Sequence, residues 1–360
     1  MSPVASFNTH RIRSLQVLRG IAACAVVYDH AVQRVQINWH EQTALSTWLA
    51  WLGTSGVDLF FVLSGFLMTY LHMSQFGTGA SLNFFSRRLV RIAPLYWVLT
   101  GIGMAQLALL PAAFSTEHRV TLAWCLGNFL FLPLQLPHML TVGWTLDYEM
   151  YFYVLFTCAL LFRRGLLLLA GFLLASFATG PLVDFQYSWL KLASSFFLLE
   201  FLAGMGVAVL LARVKMPAVA GWIVLTVGLA VLLTSDRLGI TWRFAAFGIP
   251  GAMILTGCLI VGFRCEGFLG RKLAVVGDAS YSIYLFHAFA TPAAAYLMRR
   301  GGLDKLQPAL LALAIAILAC AASMLCWLLL EKPLTDRLRR LVTREPGQIG
   351  GGRVDGQVHV

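Results

Sequence analysis

The chain has 360 residues, of which 59% are hydrophobic and only 12% are charged, and its mean hydropathy is +0.77. This composition excludes an ordinary soluble domain and a disordered chain, and it predicts an integral membrane protein. The formal net charge of +11 is explained by basic loops and contact with anionic lipid, so no nucleic-acid partner is expected.

The predicted fold is an all-α integral membrane protein with about ten transmembrane helices. The apolar stretches that predict them are centred near residues 23, 60, 101, 154, 172, 204, 226, 252, 288 and 318. A cytoplasmic N-terminus places 18 Lys and Arg residues on the cytoplasmic side and 8 on the other. We therefore expect both termini in the cytoplasm.

The domain boundaries follow from the same pattern. Residues 1–13 are expected to form a cytoplasmic N-terminus without a cleavable signal, and residues 14–335 the membrane domain. Residues 336–360 are expected to be a basic, then Gly-rich cytoplasmic tail that is disordered. At the end of the last span, Pro333 is expected to stop the helix.

The first apolar stretch, Leu15 to Val32, carries a cation and an imidazole, Arg19 and His30. Eleven steps on a helix make about three turns, so both side chains lie on one face, about 16 Å apart along the axis. Ionisable residues inside a span are costly and indicate function by default. The alternative is that Arg19 snorkels to the cytoplasmic interface and His30 lies near the outer headgroups.

The second span places a carboxylate, Asp58, near the middle of the membrane, between Gly56 and Gly65. Asp58 is either a functional residue or a structural carboxyl that is hydrogen-bonded to a neighbouring helix. The two glycines are expected to let neighbouring helices approach closely.

Three arginines, Arg87, Arg88 and Arg91, open the third span on its cytoplasmic side. Positive-inside anchoring explains them as a group. Arg88 and Arg91, however, are three positions apart and share a helix face, where two planar guanidinium groups can bind phosphate in bidentate fashion. This spacing suits a polyphosphorylated cytosolic ligand.

The motif Trp144-Thr145-Leu146-Asp147-Tyr148-Glu149 follows the longest outer loop, about residues 112–143. If Trp144 is an interfacial anchor, Glu149 lies about 7 Å inside the span. His30 is expected at a comparable depth. The two side chains are therefore expected to be able to meet.

A carboxylate that orients the ring of His30 is expected from another helix. Asp29 is adjacent in sequence but points about 100° away on the same helix. Glu149 is preferred because of its depth, and Asp58 is the other candidate.

The ninth span begins with Tyr281-Ser282-Ile283-Tyr284-Leu285-Phe286-His287. Hydroxyls inside a bilayer need partners or a substrate, so Tyr281 and Tyr284 are expected to contact substrate or to be structural. A histidine in such a span is more often packed and hydrogen-bonded than catalytic, and this interpretation is preferred for His287. No metal-binding spacing and no CxxC pair occurs in the sequence, so the seven cysteines are expected to act as small hydrophobic residues.

These motifs, in this order, resemble those of the acyltransferase-3 family of membrane acyltransferases, over about residues 13–335. The matching motifs are the arginine–histidine pair Arg19 and His30, the arginine pair Arg88 and Arg91, Trp144 to Glu149, and Tyr281 to His287. Each motif alone is weak, whereas the ordered set is specific. Within the family the chain looks most like the short, single-domain exopolysaccharide acetyltransferases of the succinoglycan type.

The resemblance implies transfer of an acyl group, usually acetyl, from cytosolic acyl-CoA to a hydroxyl of an exported or cell-surface polysaccharide or of a lipid-linked oligosaccharide. It implies a multi-pass protein of the bacterial cytoplasmic (inner) membrane that contacts membrane lipids and polysaccharide-assembly proteins. Acyl-CoA, as acetyl-CoA, is the expected co-substrate, and no metal is expected.

The resemblance also implies roles for individual residues. His30 would act as general base on the sugar hydroxyl, with Glu149 or Asp58 as its partner. Arg88 and Arg91 would hold the CoA phosphates, with Arg19 further along the path. Trp144, Tyr281, Tyr284 and His287 would contact substrate or support the site.

Two alternatives stay open at this point. A transporter or flippase of a lipid-linked sugar could use the same intramembrane charges as a relay, although the chain shows no internal repeat. An acyltransferase acting on a small secondary metabolite, such as a macrolide, would carry the same motifs.

Overall fold

The computed structural model describes residues 9–41, 43–109, 121–134, 137–180, 188–263, 265–303 and 306–342, and every regular element among them is helical. The α-helices are α1 Thr9–Trp39, α2 Ala44–His72, α3 Ser81–Leu109, α4 Leu122–Phe129, α5 Trp144–Leu160, α6 Gly165–Thr179, α7 Ser188–Ala193, α8 Phe197–Arg213, α9 Ala218–Thr234, α10 Ile249–Val261, α11 Phe268–Asp278, α12 Ser280–Arg300, α13 Pro308–Cys326 and α14 Lys332–Val342. A 3₁₀ turn, Thr141–Gly143, precedes α5, and π-helical segments, Phe244–Gly248 and Trp327–Glu331, precede α10 and α14.

Six helices of the described chain are long and apolar enough to cross a membrane, or seven if α11 and α12, which meet at a bend of 68°, form one span. Helices α6 and α9 are apolar but shorter, and α5 has 17 residues with acidic groups near its start. All ten predicted centres fall inside helices. The helical membrane fold is therefore confirmed, whereas a count of ten crossing helices stays a prediction.

Close packing of α2 against its neighbours depends on glycines, as the sequence predicts. A Cβ added at Gly56 would lie 2.5 Å from the carbonyl oxygen of Ala22 in α1, and one added at Gly65 would lie 2.0 Å from the carbonyl oxygen of Phe201 in α8. Both distances are far below van der Waals contact. The three helices thus meet backbone to backbone and hold the polar residues of α1 and α2 at fixed positions.

The C-terminal part differs from the sequence-based expectation, because the helical path continues through Pro333 to Val342. The prediction that Pro333 stops the helix is wrong. A proline lacks the backbone N–H, but Pro333 is the second residue of α14, directly after the π-helical segment Trp327–Glu331, where that donor is not needed. Residues 336–342 of the tail expected to be disordered are thus helical, and the rest, 343–360, lies outside the described residues.

Candidate active site

A cavity lies between α1, α2, α3, α5 and α12. Apolar side chains from α2 and α3 form much of its wall. The polar side chains that line it include Arg19, Arg88, Arg91, Glu149, Tyr153 and Tyr281. Since a cation is costly in an apolar interior, three arginines converging on one cavity must be balanced by nearby carboxylates or by an anionic ligand.

The shared face expected for Arg88 and Arg91 is present in the structure, where both line the same cavity together with Arg19. The Arg88 guanidinium lies 5.9 Å from the ring centre of Phe84, and that of Arg91 lies 5.6 Å from the ring centre of Tyr281. These cation–π contacts hold the planar groups without consuming their hydrogen-bond donors. Their predicted role in holding the acyl donor stays a prediction.

Arg91 is anchored by a carboxylate, Glu331, that the sequence analysis did not single out. Glu331 is 1% exposed, forms an ion pair with Arg91, and accepts a hydrogen bond of 2.5 Å from the hydroxyl of Ser282. It belongs to the π-helical segment before α14. The sequence signal that could have identified Glu331 is a carboxylate at the end of an apolar run.

Glu149 lies at this cavity and not beside His30, so the expected contact between them is wrong. Its Oε1 accepts hydrogen bonds from the hydroxyls of Tyr153, at 2.5 Å, and Ser64, at 3.1 Å. It lies within electrostatic reach of Arg19 and Arg88. Glu149 is therefore a counter-charge for the arginines. Tyr153, one helical turn after Glu149, is a site residue that spacing alone could have found.

The depth argument failed because α5 does not begin at the outer interface. Trp144 is not a free interfacial anchor: its ring packs against Tyr148 and Phe197, with centroids 5.9 Å and 5.2 Å away. His138, in the segment before Trp144, is buried, and its Nε2 lies 2.9 Å from Asp147 Oδ2. The start of helix α5 thus packs against buried residues, so Trp144 does not supply the reference point that the depth argument assumed.

His30 is oriented by its own helix. Its Nδ1 lies 3.0 Å from the carbonyl oxygen of Val26, so Nδ1 carries the hydrogen and donates it. In the neutral ring, Nε2 is then the acceptor nitrogen. A backbone carbonyl therefore sets the tautomer that Glu149 or Asp58 was expected to set.

His287 packs against His30, with ring centroids 4.8 Å apart and ring planes at 70°. Its Nδ1 donates to the carbonyl oxygen of Ile283 at 3.0 Å, as the packed, hydrogen-bonded interpretation predicts. Its buried Nε2, however, has no hydrogen-bond partner among the described residues. The pair therefore presents two acceptor nitrogens in an interior that is otherwise apolar.

Tyr284 stands between the cavity and the histidine pair. It lines the cavity, and its ring centroid lies 5.9 Å from that of His287. Its hydroxyl is 2.8 Å from the Thr145 hydroxyl, which joins α12 to the first turn of α5. Tyr284 thus lies next to both the arginine-lined cavity and the histidine pair.

Asp58 takes the structural role that the sequence left open, because it forms a bidentate pair with Arg243. The Arg243 Nε and Nη2 donate to the two Asp58 oxygens at 3.0 Å and 2.7 Å. Glu200 lies beside Asp58, and both are 0% exposed. The assignment of Asp58 as a partner of His30 is therefore wrong. The sequence analysis singled out neither Arg243 nor Glu200.

A second, more polar cavity adjoins the first, and Arg19 and Arg91 line both. Its other walls come from the start of α1, the end of α11 and the chain from Trp327 through α14. In the part of the chain that the structure describes, no group of three or more His, Cys, Asp or Glu residues could hold a metal ion.

The chain is similar to a known family and to a known protein. A family model described as an acyltransferase domain matches residues 12–329. The exopolysaccharide production protein ExoZ of Rhizobium meliloti (strain 1021) is 31% identical over 306 residues, which cover 80% of this chain and 91% of ExoZ. No solved structure matches the chain.

Proposed function

The chain belongs to the acyltransferase-3 family, and from that premise we propose that it is a membrane O-acetyltransferase that uses cytosolic acetyl-CoA and modifies an exported or cell-surface polysaccharide. The observation that carries the proposal is the convergence of Arg19, Arg88 and Arg91 on one cavity. An arginine-lined cavity beside apolar walls suits a donor with phosphates at one end and a neutral acyl thioester at the other.

The donor enters from the arginine side. Arg88 and Arg91 hold phosphate oxygens, and Arg19 lies between the two cavities. The apolar residues of α2 line the space beyond them. The thioester reaches the histidine pair after Tyr284, which separates the cavity from His287, moves aside.

His30 supplies the general base. A sugar hydroxyl is a poor nucleophile, and the His30 Nε2 takes its proton as the oxygen attacks the thioester carbonyl. The carbon–sulfur bond then breaks, the thiolate leaves, and the proton returns from the imidazolium to the thiolate. His287 packs on the base and keeps its ring in place.

The acceptor belongs to an exopolysaccharide pathway or is a lipid-linked precursor of one, because ExoZ is by its name an exopolysaccharide production protein. The relevant membrane is the bacterial cytoplasmic membrane, where polysaccharide-assembly proteins would be neighbours. With both termini in the cytoplasm, reporter tags near residues 78 and 215 would report cytoplasm, and a tag near 236 the outer side. The opposite pattern would overturn this orientation.

Two measurements test the function. Mass spectrometry of surface polysaccharide from deletion and complemented strains should show acetyl groups that require the protein. Purified protein in nanodiscs should bind acetyl-CoA, and Arg88→Lys should bind it more weakly, because an ammonium cannot reproduce the bidentate contact. Arg87→Lys is the matched control, since Arg87 is exposed and bonded to Asn83.

If the protein neither binds CoA nor catalyses CoA-dependent transfer, and it moves a sugar carrier across the membrane of reconstituted vesicles, the proposal is overturned in favour of a transporter. Transfer to a macrolide but not to polysaccharide would retain the enzyme and replace the acceptor.

A further inference from the structure

The polar cavity adjoins the arginine-lined cavity. Arg19 and Arg91 line both, so the two spaces meet at these side chains. One space is walled largely by apolar residues of α2, and the other by charged and amide groups such as Gln16 and Asp278. A ligand that spans both must be apolar or neutral at one end and strongly polar at the other.

One wall of the polar cavity is a single face of the last helical stretch. The side chains that form it are Trp327, Glu331, Lys332, Thr335, Asp336 and Arg339. Their spacings of three and four positions place them along one stripe. The helical stretch that continues past Pro333 therefore forms part of a cavity wall.

The charges around this cavity are suited to an anion. Arg339 lies within electrostatic reach of Arg88 and Arg91, although it comes from α14 and they come from α3. Glu331 is already bound to Arg91 and Ser282. Asp278, Glu331 and Asp336 also line the cavity and offset part of the positive charge of Arg19, Arg91, Lys332 and Arg339. A polyanion between these cations gains attraction from several of them at once.

We propose that this polar cavity binds the nucleotide end of the acyl donor, and that Arg339 contacts its 3′-phosphate. The proposal rests on the proposed function, because it takes acyl-CoA as the donor. The group that the cavity would bind is a nucleoside diphosphate that carries an additional phosphate monoester. Arg88 and Arg91 hold the diphosphate at the junction of the two cavities, and α14 provides the outer wall.

The test compares three probes on purified protein in phosphatidylcholine nanodiscs, which contain no anionic lipid. The probes are acetyl-CoA, acetyl-3′-dephospho-CoA and acetyl-pantetheine. Arg339→Ala should weaken acetyl-CoA binding about tenfold, and it should change the binding of the other two probes less than twofold. Arg340→Ala is the control, since Arg340 is exposed and does not line the cavity.

Three results would overturn the inference while leaving the proposed function intact. The first is unchanged acetyl-CoA binding in Arg339→Ala. The second is an equal loss for all three probes, which would mean that the variant disturbs the fold. The third is an effect seen only when phosphatidylglycerol is added, which would assign Arg339 to a lipid headgroup. Failure of the wild type to bind any probe would instead reject the donor itself.

Discussion

His30 and His287 pack edge to face, and each donates its Nδ1 hydrogen to a carbonyl one turn earlier on its own helix, at Val26 and Ile283. Both Nε2 atoms are therefore left as the acceptors of the neutral rings. This arrangement needs no carboxylate to set the tautomer. It leaves the Nε2 of each ring free to accept a hydrogen bond, as the proposed role of His30 as general base requires.

Replacing His30 tests the base. His30→Ala should lower acetyl transfer by about 10²-fold to 10⁴-fold, because it removes the group that takes the hydroxyl proton. The half-buried ring contributes little to the core, so the variant should reach the membrane at the normal level. The readout is the acetyl content of the exported polysaccharide per amount of protein.

His40→Ala is the control for this variant, because His40 is exposed just beyond the end of the same helix. It should keep normal acetylation. Normal acetylation by a well-expressed His30→Ala protein would refute the mechanism.

Glu149→Gln tests the corrected position of this carboxylate. The amide can still accept from Tyr153 and Ser64, but the charge opposite Arg19 and Arg88 is lost. We expect lower thermal stability, by about 1–3 kcal/mol, and slower transfer with an unchanged pH profile. Thermal unfolding and rates from pH 5 to 9 measure these two effects. A shifted pH profile would show that Glu149 acts on the base after all.

Most of the sequence-based prediction rested on local patterns in the chain. The apolar lengths located the helices, and the three-residue spacing placed Arg88 and Arg91 on one cavity, because helix geometry alone decides such features. Pairings across the chain could not be derived in this way. Asp58 and Arg243 are 185 positions apart, and only the tertiary fold brings them together.

The depth estimate for Glu149 failed for a related reason. It assumed that Trp144 marks the membrane interface, whereas the chain before α5 folds inward and His138 is buried against Asp147. Hydropathy does not reveal that the chain segment before a helix is buried.

The Asp58–Arg243 pair should be a determinant of stability. Arg243→Met leaves Asp58 and Glu200 buried beside each other without a cation, which should cost about 3–5 kcal/mol. Thermal unfolding of the purified protein in one detergent measures the change. The double variant Asp58→Asn with Arg243→Met should recover part of the loss, since it removes a buried charge. Equal losses in the single and double variants would contradict the ion-pair explanation.

The final prediction concerns the contact between α2 and α8, for which α8 itself provides the control. A Cβ at Gly204 would lie 2.0 Å from the carbonyl oxygen of Val62, whereas one at Gly206 would meet nothing within 4 Å. Gly204→Ala must separate two backbones and should destabilise the protein by about 1–3 kcal/mol. Gly206→Ala should be neutral or stabilising by up to about 1 kcal/mol.

The same pair of variants links packing to the site. Ser64 in α2 lies two positions after Val62 and donates to Glu149. Separation of α2 from α8 by Gly204→Ala should therefore disturb the arginine-lined cavity and weaken acetyl-CoA binding, while Gly206→Ala leaves binding unchanged. Thermal unfolding and acetyl-CoA titration of both variants in the same nanodiscs measure the two effects. Equal behaviour of the two variants would show that this helix contact does not position the site.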